Sequence, residues 1–502
     1  LFVGCDLGTM GTKAAVVDEA GRIVADAYQE VDLHHPRPGW AEQDLDEIEH
    51  SAAVTIRSAV EASGRAREIG GVAFSGQMSG IGTIDAHFRP ATHFDSWLDS
   101  RCTPYIDAMA EHAPRIVEVS GCPPTYSHGP KIAWWQGERP ADFARIARFV
   151  VPGAYVAGRL CGLSAEEAFI DRTYLHFSNL SDTARTTWSG ELIDLFAIDD
   201  RVLPRIVDPL DIVGTVTRDG EDRTGIPAGT PVAAGAGDQS AASLGAGVVY
   251  AGQVFDSAGT ASVFAVSVDD FAPDTRHLTL TAGHSVIAGQ YISMAFINGG
   301  GLALRWFRDE IATEFRRDPK AFRQLDRLAA EVPPGAGGLL WFPHFQGMVL
   351  PPEPRTRGAW VGLTAGHEHG HLFRAILEGI AYEYAEWAEL VRETGQELRE
   401  ARVLGGGAGS SLWNQIKADV VGIDWIPTLR QECGVLGDAL IAAASTGHVS
   451  DLAATATAWQ ETMDPIHPDP QRHDLYRQLR AAYRELRSAV RPVFERLAAG
   501  VK

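Results

Sequence analysis

Apolar runs separated by short polar turns open the chain. Leu1 to Val3 and Ala14 to Val17 read as buried strands, and a third run at Ile23 to Ala25 follows the turn residues Asp18 to Gly21. The stretch between the first two runs, "CDLGTMGTK", therefore lies in a hairpin turn. Beyond it, Leu45, Ile48, Ala52, Ile56 and Val60 recur at helical spacing, and "IGGVAFSG" reads as a further buried strand. Strands, helix, strand is an α/β order. Small residues dominate from Pro231 to Phe255, predicting a strand that ends in a turn and leads into an alanine-rich helix. Near the C-terminus Leu475, Leu479, Tyr483, Leu486 and Val490 share one face, which predicts a helix docked through that face. Its arginines are interleaved with acids and so read as a solvated surface, not a nucleic-acid contact.

The opening pattern returns. In "VFDSAGTASVFAVSV" an apolar strand, a GT turn and a second apolar strand follow one another, and placing Gly259 and Thr260 under Gly8 and Thr9 gives an offset of 251 residues, about half of 502. Two domains are expected, 1–243 and 244–502, each directing a polar turn into a cleft. "INGGGLALRWFRDE", "VLGGGAGSSLWNQIKADVVG" and "GVLGDALIAAASTG" read as glycine turns that lead into helices. Helix starts carry unpaired N–H groups, and glycine lets a ligand approach them.

Charge narrows the functional classes. With 44 Lys and Arg against 65 Asp and Glu the net charge is −21, so the overall field repels nucleic acid and anionic membranes, and any anionic ligand must be held locally. The most apolar long stretch, Ala233 to Phe255, contains Asp238 and several glycines, unlike a membrane span. Five cysteines without a CxxC pair suggest neither a zinc site nor a disulfide framework, and place the protein in the reducing cytoplasm.

Three stretches carry candidate chemistry. Nucleotide phosphates need turn N–H donors, hydroxyls, a cation and a carboxylate for Mg²⁺. "DLGTMGTK" supplies Asp6, the Gly8 turn, Thr9, Thr12 and Lys13, although it also fits an ordinary hairpin. "GAGDQ" follows a strand and would hold the Asp238 carboxylate at its C-terminal end, where it could take a proton from an attacking hydroxyl; a helix N-cap fits equally well. In "FSGQMSGIG" and "HFDSWLDSRC", Gln77, Trp97, Asp99 and Arg101 are side chains suited to binding or stacking on a polyol, with Trp97 equally at home in a core. His367, His369 and His371 in "GHEHGH", and His34 with His35, lack a partner set for a metal and read as loop residues. The glycine triplet at 405–407 lacks the spacing of a dinucleotide fingerprint.

Together these stretches resemble the FGGY family of carbohydrate kinases, and within it the xylulokinase branch, over nearly the full length. "GAWVGLTAGHEHGHLFRAILE" carries most of the resemblance, supported by "DLGTMGTK", "PRPGWAEQD", "SGQM", "GDQSAASLGAG", "AGTAS" and "LGGGAGSSLWNQIKAD". The resemblance implies two ribonuclease-H-like domains of the actin, hexokinase and Hsp70 type, and transfer of the γ-phosphoryl group of ATP, with Mg²⁺, to a terminal hydroxyl of a ketose or polyol. It implies Asp238 as catalytic base and Asp6 near the metal, with both as candidate metal residues. It further implies Thr9, Lys13, Gly259 and Thr260 on the phosphates; Gly301, Arg305, Gly406, Gly407 and Ser410 around adenosine; and Gln77, Met78, Ser79, Trp97, Asp99, Arg101, Tyr126 and Gln239 on the acceptor. Ser79 stands where xylulokinases carry a sugar-bonding histidine, and Gln239 where they carry asparagine, so xylulose is not carried over as the acceptor. The implied partner is a small sugar or polyol, with homodimers common in the family. A nucleotide-dependent sensor on the same actin-like fold, without sugar transfer, is the competing class.

Overall fold

The computed structural model describes residues 1–345 and 347–500. The opening runs are strands β1 (Phe2–Leu7), β2 (Gly11–Val17) and β3 (Ile23–Glu30), with β1 and β2 an antiparallel hairpin in which Leu7 faces Thr12. Helix α1 (Leu45–Ser63) starts at Asp44, whose carboxylate accepts the Asp46 N–H, and stops at Gly64, which takes a left-handed conformation. Strand β4 (Gly71–Gly76) then pairs in parallel with β1, and its six residues are all buried, as expected for a strand covered on both faces. Helices α2 (His128–Glu138) and α3 (Pro152–Cys161) follow, then β5 (Ile212–Thr215), β6 (Pro231–Ala233) and α4 (Asp238–Gly245). The first sheet has the order β5–β6–β4–β1–β2–β3.

A second sheet repeats the plan. Strands β7 (Gln253–Ala258) and β8 (Ser262–Val268) form an antiparallel hairpin, β9 (Tyr291–Ile297) flanks β8, and helices α5 (Gly300–Trp306), α6 (Ala321–Ala330) and α7 (His369–Glu393) follow. Strand β10 (Glu400–Leu404) pairs in parallel with β7, as β4 does with β1; α8 (Ser411–Val421), β11 (Asp424–Pro427), α9 (Cys433–Ser445) and α10 (Pro470–Gly500) complete the chain. The repeat seen at the two GT turns is thus a repeat of hairpin, helix and parallel strand, and the fold is the two-part α/β architecture that the sequence suggests.

The first sheet belongs to one compact unit and β7, β8, β10 and β11 to the other, but the units are not continuous halves. The first comprises residues 1–249, 269–292 and 432–460; the second comprises 250–268, 293–431 and the chain from 461 on. Glycine explains why 432–460 joins the first. A Cβ on Gly4 would lie 2.1 Å from the Val435 carbonyl, one on Gly437 1.9 Å from that of Ala241, and one on Gly245 1.9 Å from that of Cys433. β1, α4 and α9 therefore meet backbone to backbone, an approach closed to any residue with a side chain.

In the second unit a buried ion pair stands in the core. Asp256 on β7 accepts from Lys417 on α8 at 2.5 Å, Tyr384 on α7 at 2.7 Å and Trp425 on β11 at 3.0 Å. The "GHEHGH" histidines build the start of α7: Nδ1 of His371 accepts the Glu368 N–H in a capping box, His367 packs on the Gly337 carbonyl, and His369 meets Glu314. Helix α10 docks through most of the expected face, with Leu479, Leu486 and Val490 half-buried. Tyr476 and Tyr483 are fully buried whereas Leu475 is exposed. Acids of α7 line the contact: Tyr476 donates to Glu378, Tyr483 to Glu383, and Arg480 pairs with Glu386. Gly437→Ala is expected to lower the stability of the first unit by about 1–3 kcal/mol through overpacking against Ala241, read by urea unfolding; wild-type stability would show that the two helices can part.

Candidate active site

The strand ends of the first unit gather three carboxylates. Asp6 is the penultimate residue of β1, Asp238 opens α4, and Asp438 lies in α9. The Ser75 hydroxyl bridges two of them, at 2.8 Å from Asp438 Oδ2 and 3.3 Å from Asp6 Oδ1. Burial raises the pKa of all three, and their mutual repulsion raises those of Asp238 and Asp438 further: Asp238 reaches about 7, and fully buried Asp438 is pushed well above the carboxylate range. Asp238 keeps some exposure, and among the described residues it accepts hydrogen bonds only from its neighbour Gln239, whose N–H lies 2.7 Å away. It is thus a helix-start residue and an accessible acid at once.

The polar turn at Gly8 closes through its own N–H on the Gly11 carbonyl. Thr9 is braced from two sides, its hydroxyl accepting from Trp97 Nε1 at 2.8 Å and its carbonyl from Gln43 Nε2 at 3.0 Å. Lys13, half-exposed, pairs with Glu432, the residue before α9. The Thr12 side chain does not reach the turn. Strand alternation sends it under α1, where it is 1% exposed and shares a 2.6 Å hydrogen bond with Ser51.

The residues expected on the acceptor fall into two groups. Gln77 is tied to Gln43 at 2.7 Å, Met78 packs against Gly237, and Ser79, Trp97, Tyr126 and Gln239 retain partial exposure. Among the described residues the buried Gln239 Oε1 has no hydrogen-bond partner. Lys131, buried, donates to the carbonyls of Ser79 and Tyr126 and so holds the two segments together. Asp99 and Arg101 are turned to each other: Asp99 is fully buried and takes Arg101 Nε at 2.9 Å, and the guanidinium also meets Glu42 and stacks on Trp40 at 3.8 Å. That pair braces the loop from within; its charges are already matched.

In the second unit a cavity of about 540 Å³ collects Gly259, Thr260, Gly301 and Arg305 with Gly406, Gly407 and Ser410. The GT turn rests on the start of α5, where the Gly301 N–H donates to the Gly259 carbonyl and Arg305 to the Thr260 hydroxyl. Ser410 caps α8 by accepting the Trp413 N–H. Phe322, Arg323, Asp326 and Phe373 complete the walls and escaped the sequence reading, because they lie on helices without a glycine signature. Asp438 escaped as well, although an acid inside the apolar "GVLGDALIA" is the same signal that marked Asp238.

A duplicated α/β unit with an accessible acid at one strand-to-helix turn and a glycine-lined cavity in its counterpart defines an ATP-dependent phosphotransferase. The chain belongs to the FGGY family of carbohydrate kinases: residues 1–245 match the N-terminal domain of that family and residues 255–446 its C-terminal domain. It is similar to the xylulose kinase of Bacillus subtilis (strain 168), at 26% identity covering 96% of each chain, and to the glycerol kinase of Deinococcus radiodurans, at 27% covering 96% of each. Among solved structures it resembles the xylulose kinase from Rhodospirillum rubrum with a TM-score of 0.87 and 28% identity, covering 98% of this chain and 99% of that one. The sugar-kinase reading is thereby favoured over the sensor.

Two histidines behind the acceptor side are buried neutral. His128 Nε2 donates to the Met78 carbonyl at 2.7 Å, and burial holds both His128 and His176 down to about 3. Their folded pKa values lie below the unfolded value near 6.5, so the unfolded chain binds more protons as pH drops, and the stability they contribute above about 6.5 is lost as pH falls toward 3. Each histidine should cost up to about 1.4 kcal/mol per pH unit in that window. The raised carboxyls of Asp238 and Asp171 bind protons in the folded state over the same range and change stability in the opposite sense, so the test is a difference. Urea unfolding of wild type and His176→Gln at pH 7.5 and pH 5 is expected to show a smaller loss, or a larger gain, on acidification in the variant, and an equal change in the two would refute the assignment.

Proposed function

We propose that this chain transfers the γ-phosphoryl group of ATP to a terminal hydroxyl of a neutral ketose or polyol, with Asp238 as catalytic base. The observation that carries this reading is the Asp238 carboxylate itself: partly exposed at the first turn of α4, hydrogen-bonded only by Gln239 among the described residues, and held near neutrality by burial and Asp6. Such a group can orient and deprotonate an alcohol as it attacks phosphorus. The Gly8 turn, Thr9 and Lys13 would take the phosphates, as would Gly259 and Thr260, while Gly301, Arg305, Gly406, Gly407 and Ser410 would enclose adenosine. Glu432 must yield Lys13 for that contact to form.

The donor set also suits Mg²⁺. Its members are hard carboxylate oxygens, and Asp6 Oδ2 faces the space a side chain on Gly434 would fill, 2.9 Å from that Cβ position. No group of three or more His, Cys, Asp or Glu side chains among the described residues forms a metal cage, so a metal at Asp6, and through it Asp238, would depend on phosphate and water ligands, as Mg²⁺ commonly does. When bound it would neutralise charge on the transferring phosphoryl group.

On the acceptor side Gln77, Ser79, Trp97, Tyr126 and Gln239 offer amides, hydroxyls and aromatic surface. The Arg101 charge is already matched by Asp99 and Glu42, which favours a neutral acceptor over a sugar acid. Serine at 79 and glutamine at 239 leave the choice among ketoses and polyols open to a screen. ADP release measured across ketoses, polyols and aldonates is expected to rise with a ketose or polyol, and hydrolysis indifferent to every sugar would overturn the reading. Asp238→Ala should abolish sugar-dependent turnover while leaving ATP affinity within about twofold, since its contribution is made at the reacting hydroxyl; near-normal kinase activity in that variant would remove Asp238 from the mechanism.

A further inference from the structure

We propose that Thr173 is a positioning residue for Asp238, acting through the backbone N–H of Gly237, with Asp171 fixing the direction of the Thr173 hydroxyl. This rests on the reading of Asp238 as the base. The turn that presents Asp238 is braced by backbone contacts, with Ala236–Gly237 paired alongside β4 and the Gly235 N–H donating to the Pro209 carbonyl. It contains Gly235 at φ +81° and Gly237, and no side chain caps α4. Gly235 is not replaceable on steric grounds, since a Cβ there would stand 1.9 Å from the Phe74 carbonyl, whereas one on Gly237 would meet the Met78 side chain, 2.6 Å from its Cε. Glycine lets the backbone fit here, and the same freedom would let the carboxylate wander. At the Gly237 N–H, next to Asp238, the acceptor is a side chain.

The short helical segment Arg172–Ser178 supplies it. Thr173 is fully buried, and its Oγ1 donates to Asp171 Oδ1 at 2.5 Å. The same Asp171 oxygen accepts the Thr173 N–H at 2.9 Å. With its hydrogen committed, the hydroxyl turns a lone pair to the Gly237 N–H, 2.9 Å away. Gly237 is the residue immediately before Asp238. The next side chain tethers the same turn again, Tyr174 OH lying 2.8 Å from the Gly76 carbonyl and 3.3 Å from that of Ala236. The hydroxyl of Thr173 thus has one proton, one acceptor for it and one donor to receive, and the arrangement holds the backbone from which the Asp238 side chain springs.

A displacement of about an ångström at a reacting group can lower turnover by about 100-fold without weakening substrate binding. Thr173→Val keeps the shape and removes both hydrogen bonds, whereas Thr173→Ser keeps both. In the full-length enzyme, Thr173→Val is expected to lower kcat about 10- to 100-fold with KM for ATP and for the sugar unchanged within about twofold, and Thr173→Ser to restore most of kcat. Asp238→Asn is measured alongside. Full turnover in Asp238→Asn would overturn the base reading itself. Loss in Asp238→Asn together with a wild-type kcat in Thr173→Val would overturn the positioning role alone. Equal losses in Thr173→Val and Thr173→Ser, or a rise in both KM values that accounts for the defect, would also overturn it, since either marks a general packing fault.

Discussion

The close approach of α9 to β1 at Gly4 is the constraint on which the catalytic side of this molecule rests. Because the Val435 carbonyl occupies the space of a side chain at residue 4, a segment more than 400 residues away in sequence lies directly on the first strand. That contact carries Asp438 to Ser75 and Asp6, and Glu432 to Lys13. The raised affinity of Asp238 for its proton follows from the same packing, since burial and the negative neighbour Asp6 produce it together. Electrostatics here is a product of backbone geometry.

Much of this was legible from periodicity and turn chemistry. The two GT hairpins, the helix from Leu45 and the strand before Asp238 all announce themselves by short apolar runs and glycine turns, because local sterics decide them. The five residues expected around adenosine share one cavity with the Gly259–Thr260 turn for a similar reason: glycine turns that start helices converge at the same edge of a sheet. The family resemblance supplied which of these turns belong together.

What the pattern hid was set by contacts distant in sequence. Thr12 reads as a phosphate ligand beside Lys13, yet pleating alternates the two and leaves Thr12 against Ser51. Asp99 and Arg101 look like free polar groups in a loop, and only the fold shows that they satisfy each other. The apolar stripe marks most of the docked face of α10, but not Tyr476 and Arg480, which acids on α7 draw into the contact. In each case a polar side chain found its partner across the structure, and spacing along the chain carries no record of that.

The interleaving of the two units has a consequence for biogenesis. The first unit is closed by residues 432–460, whereas most of the second precedes them. During synthesis the N-terminal sheet must therefore wait, with the β1 surface that α9 will cover still open, until nearly the whole polypeptide has left the ribosome. A chaperone that shields apolar strands through that interval would be protecting the very surface on which the acid cluster is later assembled.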